Sequence, residues 1–405
     1  MSTQAARSIP FTHTTPQQGF KLLELSPELV ELVSSNEAPT LELKSPPPSQ
    51  SQSETYSQSQ SESDEARDYV HLCTPDKTYQ VRQVQSSNSL HILRPSTNAA
   101  VVENANEDDN NGDDDMDMDM NLNTETMTSI AKCGSTLELF MPKEGFSAVP
   151  FLVKTLGFYS RDEGRGNVDV DMVDDDEDEY ARNAMNALFA DIPVSKAQCE
   201  QGWVDLCAFV MRSNANANVP GVNCWRPSAM VKVDVWKGVV EGAVLQGINL
   251  EKQFLVNDLW KSVLDDNGEE PFPRGLFGAV VRRVCEDSTA PGEATRWTSI
   301  EKPRCIQWIG ETYLEAKAPT VTSALGRSEF LNAWKDHLPE SWRSEVALSK
   351  LPEGSYKLPD PTSICFVHEG DRQKLKKNLS TDASAATTAK KSRNWHELFK
   401  NQRRR

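Results

Sequence analysis

The chain has 405 residues and a mass of 45.2 kDa, enough for two or three domains at roughly 150 residues each. Sixty Asp and Glu against 43 Lys and Arg give a net charge of -17, and 38% hydrophobic residues is low for one compact unit. No run of 18 apolar residues occurs, which excludes a membrane-spanning helix, and the first twenty residues lack a secretion signal.

Local composition accounts for the polarity. Ser45–Ser63 holds eight Ser, four Gln and three Pro; Glu103–Asp119 holds nine acidic residues and no basic one; Asp162–Glu179 holds ten against Arg165 alone. Such stretches bury too little to offset chain entropy, so disorder is predicted for them, and 101–129 and 162–179 read as dispensable insertions. The eight cysteines, Cys73, Cys133, Cys199, Cys207, Cys224, Cys285, Cys305 and Cys365, form no C-x-x-C pair. Reduced, buried thiols of an intracellular protein are expected, rather than disulfides or structural zinc.

In chain order the first elements read as β. Lys21–Leu25 is a short apolar run, followed after the Ser/Gln-rich stretch by YVHLCT, TYQVRQV and SLHILRP, and after the acidic stretch by STLELF. Five short strands broken by long polar loops predict a small sheet or partial barrel whose edges need cover. The apolar residues Tyr79, Val81, Leu90, Ile92, Leu137 and Leu139 are the candidates for burial against a partner chain.

Beyond the second acidic run the period lengthens to three or four. Glu179–Phe189 reads as a helix, Ser195 as the N-cap of a helix carrying Cys199, Trp203, Leu206 and Cys207, Cys224–Arg226 as a strand and Ala229–Gly242 as a helix. Helices follow at Leu255–Leu264, around LFGAVVRRVCED, at Pro303–Leu314 and after Ser328, where Phe330, Trp334 and Leu338 form an i, i+4, i+8 stripe. Pro339–Trp342 and Arg343–Leu351 read as two further helical elements, and Ser355–Leu358 with Ser363–Val367 as a two-stranded wing. Helix, turn, helix and wing repeat as a winged-helix pattern. Trp203, Trp236, Trp260, Trp308 and Trp334 read as packing residues rather than base-stacking platforms.

Catalytic signatures are missing. No P-loop, G-x-G-x-x-G, H-E-x-x-H or G-x-S-x-G occurs, and the six histidines are scattered. No enzyme activity, metal or cofactor is expected; the Asp clusters read as solvated charge. Charge is more informative at the C-terminus, where Asp371–Arg405 carries eleven Lys and Arg against three acids. Arg343 and Lys350 on the expected recognition element, with Lys374, Lys376, Lys377, Lys390, Lys391 and Arg393 of the tail, are the candidate phosphate-binding residues. A solvated tail or nuclear import signal is the bland reading of the same tail.

Leu72-Cys73-Thr74, Asp76-Lys77-Thr78-Tyr79 and Ser86-Ser87-Asn88-Ser89-Leu90 resemble the N-terminal signature of the sister chromatid cohesion protein family of the cohesion-type clamp loader. Ile192-Pro193-Val194-Ser195, Trp225-Arg226, Phe330–Trp334 and Leu338-Pro339-Glu340 are similar to later family positions. The resemblance implies a nuclear, non-ATPase accessory subunit. Its β region would pair with the large and small specific subunits of the loader. Three winged helices would contact single- and double-stranded DNA and the catalytic subunit of the leading-strand polymerase, the complex acting on the PCNA clamp in replication and cohesion.

The expected fold is therefore α+β and multidomain, a β-barrel-like domain followed by three tandem winged helices. The expected boundaries are 20–160 for the β domain, 179–245, 250–320 and 325–370 for the winged helices, and 371–405 for the tail. The alternative is a stand-alone winged-helix chromatin or transcription protein.

Overall fold

A computed structural model describes residues 11–13, 15–45, 69–96, 126–143, 145–160, 174–211, 223–264, 268–286 and 297–372. The chain is mixed α and β and divides into two compact units: Met1–Phe146 with Pro193–Lys196, and Ser147–Ile192 with Ala197–Arg405.

The first unit contains β1 (Phe11–His13), β2 (Leu22–Leu23), α1 (Pro27–Ser34), β3 (Glu42–Lys44), β4 (His71–Cys73), β5 (Thr78–Ser96) and β6 (Thr126–Phe140). These strands make one sheet in the order β1-β6-β5-β4-β3, with β2 also on β6. Among the described residues the sheet is open, not closed into a barrel. TYQVRQV and SLHILRP, expected as two strands, are one strand of 19 residues, because pairing with β6 resumes after a register shift between Gln85 and Leu90. The break read between Val84 and Ser89 is a bulge, which interrupts the ladder without ending it. β1 and β2 lie parallel to β6, and β1 joins it through Phe11–Met127 to His13–Ser129.

Leu29 of α1 covers Leu72 and Tyr79 in a small core, with Leu25, Leu32, Leu41, Val81 and Leu139 packed around it. The connector Pro193–Lys196 completes this unit. Ser195 N–H donates to Thr78 Oγ1 at 2.7 Å, the His71 ring nitrogen Nδ1 lies 2.5 Å from Pro193 O, and Lys44 Nζ donates to Val194 O at 3.4 Å. Thr78, Val194 and Ser195 are buried, so each bond satisfies a polar group removed from water.

The second unit repeats a related element order three times: helix, strand, helix, then a second helix or 3-10 turns, then two strands or strand-like segments. The first run comprises α2 (Val149–Thr155), β7 (Gly157–Tyr159), α3 (Asp174–Asp191), α4 (Lys196–Leu206), β8 (Phe209–Val210) and β9 (Cys224–Pro227). The second comprises α5 (Ala229–Gln246), β10 (Phe254–Leu255), α6 (Val256–Val263), α7 (Arg274–Val284), the bridge Cys285–Ile300 and β11 (Trp297–Thr298). The third comprises α8 (Lys302–Lys317), β12 (Leu325–Gly326), α9 (Arg327–Asp336), 3-10 turns at Glu340–Glu345 and Leu348–Lys350, β13 (Tyr356–Lys357) and β14 (Ser363–Phe366). The sheet orders are β7-β9-β8 and β12-β14-β13, with β10 on β11 between them. β7 is parallel to its neighbour, whereas β10 and β12 are antiparallel to theirs.

Caps explain several boundaries. Ser228 Oγ accepts from Val231 N–H at the start of α5, and Gly247, at φ 65°, ends it in the left-handed conformation that glycine adopts without strain. Ser328 does not cap α9, which begins one residue earlier, straight off β12, because Gly326 is held in pairing with Ser363. One continuous core runs through all three repeats, from Tyr159 and Phe209 through Trp236, Leu276 and Ile306 to Trp334 and Ile364.

The expected insertions fall largely outside the described residues. At their edges, however, Thr126–Ser129 belong to β6, with Ser129 fully buried, and Asp174–Glu179 open α3. The Thr126–Ser129 edge is therefore part of the sheet rather than a dispensable insertion.

Candidate partner and nucleic-acid surfaces

In an antiparallel ladder, directly opposed residues share a face. Tyr79, Val81, Leu90 and Ile92 of β5 and Leu137 and Leu139 of β6 follow one face of the β5–β6 hairpin, through the pairs Val81–Leu139, Leu90–Cys133 and Ile92–Ala131. The two ends of that face differ. Tyr79 is buried, and Val81 and Leu139 pack against the core beneath α1, so these three serve the unit's own stability. Ile92 and Leu137 are half-buried, and Leu90 is 46% exposed; Leu93, also 46% exposed, directly follows Ile92 and stands on the opposite face with His91. The opposite numbers of Leu90 and Ile92, Cys133 and Ala131, are small and buried, so the larger β5 side chains stand clear of the sheet. Phe11 on β1, 49% exposed, adds an aromatic ring on the His91 side of the sheet, in edge contact with His13 and His91.

His91 Nδ1 lies 3.1 Å from Ser129 Oγ. A hydrolytic dyad needs a hydroxyl that substrate can reach, and Ser129 is fully buried. Among the described residues no group of three His, Cys, Asp or Glu is gathered as metal ligands, and no helix is long and apolar enough to cross a membrane. The eight cysteines are buried and none forms a disulfide; burial pushes the Cys224 thiol up to about 11 and the Cys305 thiol well above its ordinary value.

The second expected surface is arranged differently from its sequence reading. Arg343 and Lys350 do not share a helix: they lie in separate 3-10 turns, with Val346 and Ala347 extended between them. The cause is anchoring at both ends. Trp342 is buried with its indole N–H on Glu251, and Lys302 pairs with Glu345 at 2.6 Å, a bond that holds the Glu345 carboxyl below its usual range. Leu351 is also buried, and Pro352 after it disfavours a helical conformation there. Arg343 and Lys350 are both exposed, and Arg343 Nε donates to Leu338 O at 3.3 Å, which steadies the root of the guanidinium.

The tail residues Lys374, Lys376, Lys377, Lys390, Lys391 and Arg393 lie outside the described residues. Arg372, one of the eleven tail cations, is an anchor: it pairs with Glu311 at 2.6 Å and Glu369 at 3.2 Å and donates to Val367 O.

A third feature escaped the sequence reading. Trp297 is 57% exposed beside a hollow of about 310 Å³ lined by Ile248, Lys252, Phe254, Leu255 and Asp258, among others. The available cue is position: Trp297 sits at the end of a polar, Gly- and Pro-containing stretch, directly before the three buried residues Thr298, Ser299 and Ile300.

The family model described as sister chromatid cohesion protein Dcc1 matches residues 20–376. The chain belongs to this family. The match runs from the β2 region to just past Arg372, so it takes in nearly all described residues of both units. Membership assigns the chain a role in sister chromatid cohesion as a non-catalytic accessory subunit. A search among curated proteins gave no match.

Proposed function

We propose that this chain is the accessory subunit of an alternative replication factor C clamp loader, bridging the loader to DNA and to the leading-strand polymerase. The observation that carries the reading is the uncovered end of the β5–β6 hairpin in a chain of the cohesion family. A sheet end with Leu90 exposed on one face and Leu93 and Phe11 on the other loses free energy to water unless another chain covers it, at roughly 1.5–3 kcal/mol for each large side chain fully buried. The large and small specific subunits of the loader are the proposed cover. ATP hydrolysis belongs to those partners, and PCNA is reached through the complex. The proposed site of action is the nucleus.

The related order in all three repeats, with 3-10 turns replacing the last helix of the third, supports a reading of the second unit as three tandem winged helices. Arg343 and Lys350 are exposed on the last of them, and the tail supplies further cations, which suits phosphate contact without sequence preference. The polymerase would dock on this same series of domains.

Purification of the tagged full-length chain from its own cells, followed by mass spectrometry of stoichiometric companions, tests the reading. Loader subunits at equal stoichiometry are expected. A free monomer or homodimer that binds DNA alone would overturn it in favour of a stand-alone chromatin protein.

A further inference from the structure

Every other tryptophan among the described residues is buried or half-buried, whereas Trp297 is 57% exposed. Its backbone is fixed by antiparallel pairing of β11 with β10, where Trp297 faces Leu255 and Thr298 faces Phe254. Thr298 and Phe254 are both buried, so the ribbon is rooted in the core while the indole is left at the surface. Beside it, Ile248, Phe254 and Leu255 supply apolar wall, and Lys252, Gln253 and Asp258 supply polar groups around the same hollow of about 310 Å³. Lys252 is exposed and makes no ion pair among the described residues.

We propose that this hollow seats an unpaired base of single-stranded nucleic acid, stacked on Trp297. The proposal rests on the DNA-binding reading above and adds a contact on the β10–β11 ribbon, away from Arg343 and Lys350 in sequence. A free base has a flat aromatic face, a hydrogen-bonding edge and a phosphate one sugar away. Trp297 offers a plate for the first, the Gln253 amide and the Asp258 carboxylate offer partners for the second, and Lys252 offers a cation for the third. An aliphatic peptide side chain would use only the apolar wall. Duplex DNA keeps its base faces stacked on one another, so it has none to give Trp297.

The test is fluorescence anisotropy with the full chain, using one labelled single strand and the same strand carrying abasic sites. The parent protein is expected to prefer the strand with bases. Trp297→Ala should weaken binding to that strand about tenfold, while Trp297→Phe keeps most of it, since a phenyl ring still stacks. Both variants should bind the abasic strand as the parent does, with an unchanged salt slope, because every phosphate-binding cation is still in place. If Trp297→Ala weakens both strands equally, the residue has only a structural role and the proposal fails. It also fails if the parent prefers bases and Trp297→Ala retains that preference. If the parent binds no strand at all, the DNA-binding reading falls first and this inference with it.

Discussion

The indole nitrogen of Trp334 donates to the backbone carbonyl of Ile306 at 2.9 Å, deep in the core of the second unit. The ring reaches that carbonyl because Gly310, one turn further along α8, has no side chain. A β-carbon there would fall inside the van der Waals envelope of the Trp334 ring. α8 and α9 are therefore held together by the absence of one atom and the presence of one hydrogen bond. Gly310→Ala should destabilise the unit by about 1–3 kcal/mol through overpacking, despite the better helix propensity of alanine. Trp334→Phe should lose about 1 kcal/mol from the hydrogen bond, with some further loss of packing. Denaturant unfolding of both variants checks the pair; an unchanged midpoint for Gly310→Ala would contradict the close approach of the two helices.

The hairpin face separates stability from assembly. Leu139 packs beside the buried Leu29, Leu72 and Tyr79, whereas Leu90 on the same face is 46% exposed. Leu139→Asp should therefore lower the melting temperature of the isolated chain. Leu90→Asp, combined with Leu93→Asp, should leave melting nearly unchanged and abolish co-purification with partner chains. Thermal unfolding and pull-down of the two variants in parallel distinguish these effects. Retention of partners by the Leu90/Leu93 variant would move the interface elsewhere.

Phosphate binding by the last repeat has a salt signature. Neutralising one cation that pairs with a phosphate lowers the slope of log binding constant against log salt by about 0.9 on duplex DNA. Arg343→Gln with Lys350→Gln should lower it by about 1.8 and weaken different DNA sequences by similar factors. Anisotropy titrations at several salt concentrations give the slope. A change confined to one DNA sequence would point to base readout instead.

Asp360 organises the turn between β13 and β14. Its carboxylate accepts from the Thr362 and Ser363 backbone N–H groups and from both hydroxyls, and these bonds hold its pKa down at about 2. Because the folded value lies below the ordinary 3.8, the contribution to the turn is fully present above about pH 4 and is lost as pH falls through about 2. Carbon-detected NMR titration of Asp360 should give that low value, and Asp360→Asn should speed exchange of the Thr362 and Ser363 amides at pH 5.

Much of the second unit was legible because its signals are local. The Phe330–Trp334 spacing acts within one or two turns and falls in α9, and the helix expected to open at Ala229 does open there, although it runs on to Gln246 rather than ending at Gly242. What was not legible depends on distant partners. β5 continues through Ser86–Ser89, residues of low strand propensity, because β6 pairs on both sides of them. The segment Arg343–Leu351 has helical spacing, yet Glu251, Lys302 and a buried Leu351 pull it into two short turns. Within β5, alternation put Tyr79 with Val81 and Leu90 with Ile92; the cross-strand register joins these pairs to Leu137 and Leu139. Alternation alone could not say which end of that face α1 would cover.

The pairing of β1 with β6 has a consequence during synthesis. Thr12 meets Thr128 across 116 residues of chain. At translation rates of about 5–20 residues per second, the N-terminal strand leaves the ribosome about 6–23 s before its partner exists. Throughout that interval Phe11 and Leu22 have no sheet to join, and the earliest pairing open to the nascent chain is β3 with β4. Final docking of the Pro193–Lys196 connector waits longer still, since Ser195 follows Thr78 by 117 residues. The first unit is thus completed only after part of the second has emerged, and a nascent chain halted between them would hold an unfinished sheet edge for chaperones to shield.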